Sequence, residues 1–196
     1  MERFEELLFT EFSPYGHLSP VALSLLSDHY KLLLKWNRVL NLTRLTDLLE
    51  VVRFHYCESL FLGTVVPPGA LKIADVGSGA GFPGIPLAAF RPEVSVTLIE
   101  SDQRKAVFLR ESSRGFGNIV VLPLRAEEVE EHYDWVVSRA VLRDEVLSLR
   151  LATNLALLNT ERQPFGGFWR SIKLPWGKDR VVSVREGGLE QESGVS

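Results

Sequence analysis

The segment Asp75-Val76-Gly77-Ser78-Gly79-Ala80-Gly81 has the make-up of a ligand-binding turn. Glycines at alternate positions let a backbone bend sharply and approach a ligand without Cβ clashes. One acid, Asp75, stands two residues before the first glycine, and another, Glu100, closes the next apolar run. An ionised carboxylate only accepts hydrogen bonds, so an acid at that second position can take both hydroxyls of a ribose. The plainer alternative is a tight strand-to-helix connection that binds nothing; the two flanking acids favour the ligand.

Glycine spacing discriminates between ligands. Dinucleotide enzymes favour G-x-G-x-x-G, which leaves a helix N-terminus open to a pyrophosphate. Here the pattern is acid-x-G-x-G-x-G followed by Phe82-Pro83-Gly84. It resembles the first motif of class I methyltransferases, whose cofactor S-adenosylmethionine has no phosphate and instead a charged amino-acid tail. By the same resemblance, Arg125-Ala126-Glu127 falls where such enzymes hold the adenine. Glu127 reads equally well as a solvated member of an acidic run with Glu128, Glu130 and Glu131.

The elements that must position these residues follow from periodicity. Ser19-Pro20 reads as an N-cap followed by proline in the first helical turn. Ala22, Leu25, Leu26, His29, Leu33, Trp36 and Leu40 then form one apolar stripe, ended by Asn41-Leu42-Thr43. Asp47 and Glu50 resemble a capping box, with Val51, Phe54, His55, Glu58 and Leu62 on a second helix. After Pro67-Pro68-Gly69 the rhythm changes. Strands are expected at 70–75, 94–100, 118–124 and 134–139, with helices at 85–90 and 103–115 between them. That alternation implies βαβ units and a parallel sheet. Toward the end, 144–158 reads as helix, 167–172 and 180–185 as strands, and 187–196 as a fraying tail. The expected organisation is a helical segment over 1–68, a Rossmann-like α/β domain over 69–186, with a mostly parallel twisted sheet flanked by helices, and a flexible tail.

Composition narrows the classes. Hydrophobic residues at 45% and charged residues at 24% describe a globular chain rather than a disordered one. A formal net charge of −3 gives no overall basic footprint, so any nucleic-acid surface must be local. Cys57 is the single cysteine, which excludes an internal disulfide and a multi-cysteine zinc site, and no metal is expected. The first residues carry Glu2, Glu5 and Glu6 without an apolar run, unlike a signal peptide, and no stretch reaches membrane-span length. A cytoplasmic monomer without membrane contact is expected.

Chemistry is narrowed by absence. Exocyclic amino methylation of adenine commonly uses Asp/Asn-Pro-Pro-aromatic after the fourth strand, where this chain has Val137-Ser138-Arg139-Ala140. Methylation at pyrimidine C5 usually needs a cysteine, and Cys57 lies far away in the helical segment. A nucleophile needing no deprotonation remains, and guanine N7 is such a lone-pair acceptor.

Lys35-Trp36-Asn37, Asn41-Leu42-Thr43, Arg53, His55 and Glu58-Ser59-Leu60 carry a more specific resemblance. It continues through Asp75 to Leu87, Arg91-Pro92, Lys105, Phe108-Leu109 and Val137-Ser138-Arg139-Ala140. Over roughly residues 20–150 the chain resembles the bacterial 16S ribosomal RNA guanine-N7 methyltransferase G family, also called glucose-inhibited division protein B. The resemblance implies S-adenosylmethionine as cofactor, with contacts from the turn (Asp75, Gly77, Ser78, Gly79, Gly81, Phe82), from Ala126, Glu127 and Arg139, and from Glu100 at the ribose. It implies 16S rRNA of the small subunit, in the decoding region, as substrate. Asn37, Asn41, His55, Arg104 and Lys105 are then candidate substrate contacts, with Arg38, Arg44 and Arg53 as further phosphate contacts. Simpler roles stand beside these: helix-end caps for Asn37 and Asn41, an interior histidine for His55, a carboxylate partner for Arg139. One departure concerns the end of the chain, where Phe165 to Ile172 runs almost directly into Lys173 to Arg180. Family members usually carry a Lys-Gly pair and a helical excursion there. The alternatives are a methyltransferase of another RNA base or a small molecule, and a cofactor-binding module without activity.

Overall fold

A computed structural model describes residues 2–69, 71–139, 141, 143–160 and 169–187. Helix α1 (Glu2–Phe12) lays Phe4, Leu8 and Phe12 into the interior. Helix α2 (Pro20–Leu40) begins as its sequence requires: the Ser19 hydroxyl accepts from the Ala22 N–H at 3.1 Å, and Asn41 ends it in the left-handed region at φ 48°. Helix α3 (Leu48–Val51) is capped by Asp47, which accepts from the Glu50 N–H. It runs into one wide π-helical stretch, Val52–Cys57, and on into α4 (Glu58–Val65). Periodicity shows a helix here but not the π-turn, a feature that often accompanies functional sites.

Strands β1 (Lys72–Val76), β2 (Ser95–Ile99), β3 (Ile119–Leu122), β4 (Trp135–Arg139), β5 (Asn154–Thr160), β6 (Trp169–Lys173) and β7 (Arg180–Arg185) form one sheet ordered β3-β2-β1-β4-β5-β7-β6. Pairing is parallel from β3 to β5, and β7 runs against both of its neighbours. Helices α5 (Gly84–Phe90), α6 (Gln103–Ser112) and α7 (Arg143–Ser148) connect strands.

The helix expected over 144–158 is corrected. It stops at Ser148, Arg150 turns at φ 52°, and Asn154–Thr160 is β5. Leu155 to Leu158 are buried because β5 lies between β4 and β7, with a core on each face. A short apolar run carries no period that distinguishes such a strand from a buried helix. The expected strand over 167–172 begins partly outside the described residues and runs to Lys173. The expected tail lies almost wholly outside them.

Strand alternation separates two cores. On one face Ile73, Val96, Leu98, Val137 and Val182 pack with α1, α2, the π-turn, α4, α5 and α6. On the other, Ala74, Val76, Ile99, Val136 and Leu155 meet Val146 and Val141. The helical segment therefore shares the larger core with the sheet.

Candidate functional site

The carboxyl ends of β1, β2 and β4 meet where the strand order reverses, the place at which open α/β sheets receive ligands. After Val76 the chain turns through Gly77, Gly79 and Gly81, whose φ values of 70°, 56° and 85° lie in the region that side chains avoid. Gly77 and Ser78 donate their N–H groups to the Ile99 carbonyl, tying the turn to β2. Asp75 is fully buried beneath it. Its Oδ2 accepts from the Gly84 N–H at 2.9 Å, and the Ser78 hydroxyl donates to its carbonyl. Its Oδ1 has no partner among the described residues, and burial raises the carboxyl to about 7. Asp75 and Ser78 thus act on the turn from within.

Glu100 is held by two backbone N–H groups: Oε2 accepts from Gly79 and Oε1 from Asp102, each at 2.8 Å. A carboxylate offers about four acceptor positions, so two remain for a ligand. This side chain lines a crevice of about 230 Å³ with Gly77, Ile99, Leu124, Ala126, Glu127 and Val141. Apolar side chains (Ile99, Leu124, Val141) alternating with polar ones (Ser101, Arg125) beside an anchored carboxylate suit a flat base and its sugar. Gly77 is the exposed residue of the turn, and four of the expected cofactor residues, Gly77, Glu100, Ala126 and Glu127, line one crevice.

Phe82 and Arg139 lie on the other side of the turn, against the helical segment. The Arg139 guanidinium carbon stands 4.9 Å from the Phe82 ring centroid, and His55 stacks on the same ring at 4.8 Å. Nη1 of Arg139 donates to the Phe54 carbonyl at 3.1 Å and to His55 Nδ1 at 2.7 Å. Burial lowers Arg139 to about 10. Burial, with the Arg139 charge, lowers His55 to about 3, so the imidazole is neutral. Nearby Glu58 is fully buried and takes both Nε and Nη2 of Arg180.

The candidate substrate contacts are divided by the structure. Asn37 spends its side chain on the backbone of Thr43, accepting from its N–H at 2.8 Å and donating to its carbonyl at 3.0 Å. His55 is buried and fully engaged. Asn41, Arg104 and Arg38 are exposed, as is Arg44, whereas Lys105 is half-buried. Trp36 of α2 donates to Glu111 of α6 at 3.1 Å, which sets these two helices side by side. Arg53, an expected phosphate contact, grips Glu11 bidentately at 2.8 and 2.9 Å with 40% of its side chain still exposed, and Glu11 also accepts from Trp176.

One functional support was not legible as such. His29 of α2 donates from Nε2 to the Ala80 carbonyl within the glycine turn at 3.0 Å, while the Tyr56 hydroxyl donates to its Nδ1 at 2.8 Å. A histidine in an apolar stripe was the only sequence signal.

A family profile described as rRNA small subunit methyltransferase G matches residues 22–159. Ribosomal RNA small subunit methyltransferase G of Desulforamulus reducens is 40% identical over 129 residues, covering 61% of this chain and 54% of that protein. The protein of the same name from Xanthomonas campestris pv. campestris strain B100 is 45% identical over 114 residues, covering 56% and 53%. The chain thus spans about half the length of these relatives. Among solved structures, a SAM-dependent methyltransferase from Aquifex aeolicus aligns with TM-score 0.52 and 16% identity, over 70% of this chain and 93% of its own. A predicted O-methyltransferase from Agrobacterium tumefaciens gives 0.55 and 21%, over 65% and 79%. The sheet order and these likenesses give the Rossmann-like fold of class I methyltransferases.

Proposed function

Since the chain belongs to the rRNA small subunit methyltransferase G family, we propose that it transfers a methyl group from S-adenosylmethionine to guanine N7 in 16S rRNA, acting as a cytoplasmic monomer on the small subunit. The observation that carries this reading is Glu100, fixed by the Gly79 and Asp102 N–H groups at the floor of the crevice beside the glycine turn.

The residues at the crevice fit the cofactor's nucleoside. Glu100 would accept from the ribose hydroxyls, Ala126 and Glu127 would flank the base, and Gly77 would let the backbone approach. Asp75, Ser78, Gly79 and Gly81 shape the turn, with Phe82 and Arg139 across it. When bound, the cofactor supplies an electrophilic sulfonium methyl. The chain's own task is to align a base with it, and alignment alone can lower a barrier by about 7–11 kcal/mol in favourable cases. Guanine N7 is already a lone pair, so no general base is needed. The neutral His55, with Nδ1 committed to Arg139, accords with that. Arg38, Arg44, Arg104, Lys105 and Asn41, on the adjoining α2 and α6 region, would contact phosphates of an RNA whose target base is splayed out, because side chains cannot read the major groove of an RNA helix.

The test is incubation of 30S subunits with methyl-labelled cofactor, followed by mapping of the modified base. Label on guanine N7 of 16S rRNA is expected; label on a pyrimidine or on protein refutes the assignment. Binding of S-adenosylhomocysteine should weaken on the order of ten- to a hundredfold in Glu100→Gln, the worth of a hydrogen bond to a charged group.

A further inference from the structure

We propose that His55 and Thr43 are positioning residues that hold the Arg139 guanidinium in one orientation beside the glycine turn. The importance of that orientation rests on the functional reading above; the relay itself rests on hydrogen-bond geometry. An arginine has donors only, so the 2.7 Å approach of Arg139 Nη1 to His55 Nδ1 requires a bare lone pair on Nδ1. The ring proton then sits on Nε2, which lies 2.6 Å from Thr43 Oγ1 and donates to it. Thr43 Oγ1 also accepts from the Leu45 N–H, and Asn37 clamps the Thr43 backbone from both sides. The order of donation therefore runs in one direction, from Arg139 to His55 to Thr43.

The Phe54 carbonyl, 3.3 Å from Nδ1, would accept a proton carried there, but the shorter Arg139 contact to the same nitrogen leaves no room for one. Phe82 stacks under the imidazole and under the guanidinium. The Phe54 carbonyl, exposed to Arg139 in the π-helical stretch, gives Nη1 its second acceptor. Glu58 and Asp75 are the nearby anions, and Arg180, pinned by Glu58, is the competing cation. With Nη1 tied twice, Nε and Nη2 of Arg139 have no hydrogen-bond partner among the described residues. That edge of the guanidinium is shaped for an oxyanion. The loop after α2 thus reaches the end of β4 through one imidazole. Neither Asn37 nor His55 then touches substrate, and both act through Arg139.

The experiment uses the full chain with ¹⁵N-labelled histidine. A long-range nitrogen–proton spectrum reports the tautomer of His55, and methyl transfer to 30S subunits reports the consequence. Wild type should show His55 protonated at Nε2 only. Thr43→Val removes the acceptor at constant shape; the tautomers should mix, and kcat should fall about tenfold. KM for S-adenosylmethionine should rise several-fold alongside, because Arg139 is among the expected cofactor contacts and its disorder weakens ground-state binding as well. Thr43→Ser restores the hydroxyl and should return both readouts to wild-type values. His55 protonated at Nδ1, a Thr43→Val variant that changes neither readout, or a loss that Thr43→Ser does not restore each overturns the relay. If wild type transfers no methyl to 30S subunits, the functional reading falls, while the nitrogen spectrum still decides the relay.

Discussion

Replacing His29 with glutamine removes a titratable group from the core while keeping an amide within reach of the Ala80 carbonyl. Native His29 is wholly buried, and burial lowers it from 6.5 to about 4. The unfolded chain takes up this proton near pH 6.5 and the folded chain only near pH 4. The contribution of His29 is therefore fully present above pH 6.5 and is lost as the pH falls toward 4. The interval corresponds to about 3 kcal/mol at its full extent and about 2 kcal/mol at pH 5. Asp75 acts in the opposite sense: raised from 3.8 to about 7, it penalises the folded state increasingly as the pH climbs between those values. The two oppose each other in any profile of the native chain, and only the difference from His29→Gln isolates the histidine. Urea unfolding followed by tryptophan fluorescence at pH 8 and pH 5 gives that difference. Between these conditions the native chain should lose about 2 kcal/mol more than His29→Gln. Parallel behaviour of the two proteins would show that His29 is not held neutral, and would refute the burial argument.

Gly84→Ala tests the floor of the turn. Its Cβ would lie 2.3 Å from Leu98 Cδ2 and 2.7 Å from Asp75 Oδ2. Overpacking of that kind costs about 1–3 kcal/mol, to be read as a lower thermal midpoint, and an unchanged midpoint would show that the turn can yield. Glu58→Gln leaves Arg180 facing a neutral amide in a buried position. With 32% of the Arg180 side chain still exposed, the loss should be about 2 kcal/mol rather than that of a fully buried pair. Unchanged urea stability would mean that desolvation already cancels the attraction in the native pair.

Much of the architecture was written in local patterns. Ser19 and Asp47 cap their helices because each places an oxygen where free N–H groups begin, and that requires only nearby residues. The strands before and after the glycine turn follow from short apolar runs between turn residues, and the parallel sheet from their alternation with helices. The turn itself was legible because positive φ selects glycine whatever surrounds it. The helix expected over 144–158 holds only to Ser148, since whether Leu155 to Leu158 form helix or strand depends on β4 and β7 lying on either side of them.

The chain's order of residue types thus determined the turn, the acid after it, the helix caps and the class of fold, since all of these are short-range consequences of φ, capping and periodicity. Tertiary structure alone decided which polar side chains are free. Arg53 and Glu11 are 42 positions apart, Arg139 and His55 84, and Arg180 and Glu58 122. A charged side chain pairs with whatever the fold brings within hydrogen-bonding reach, and no local spacing encodes that meeting.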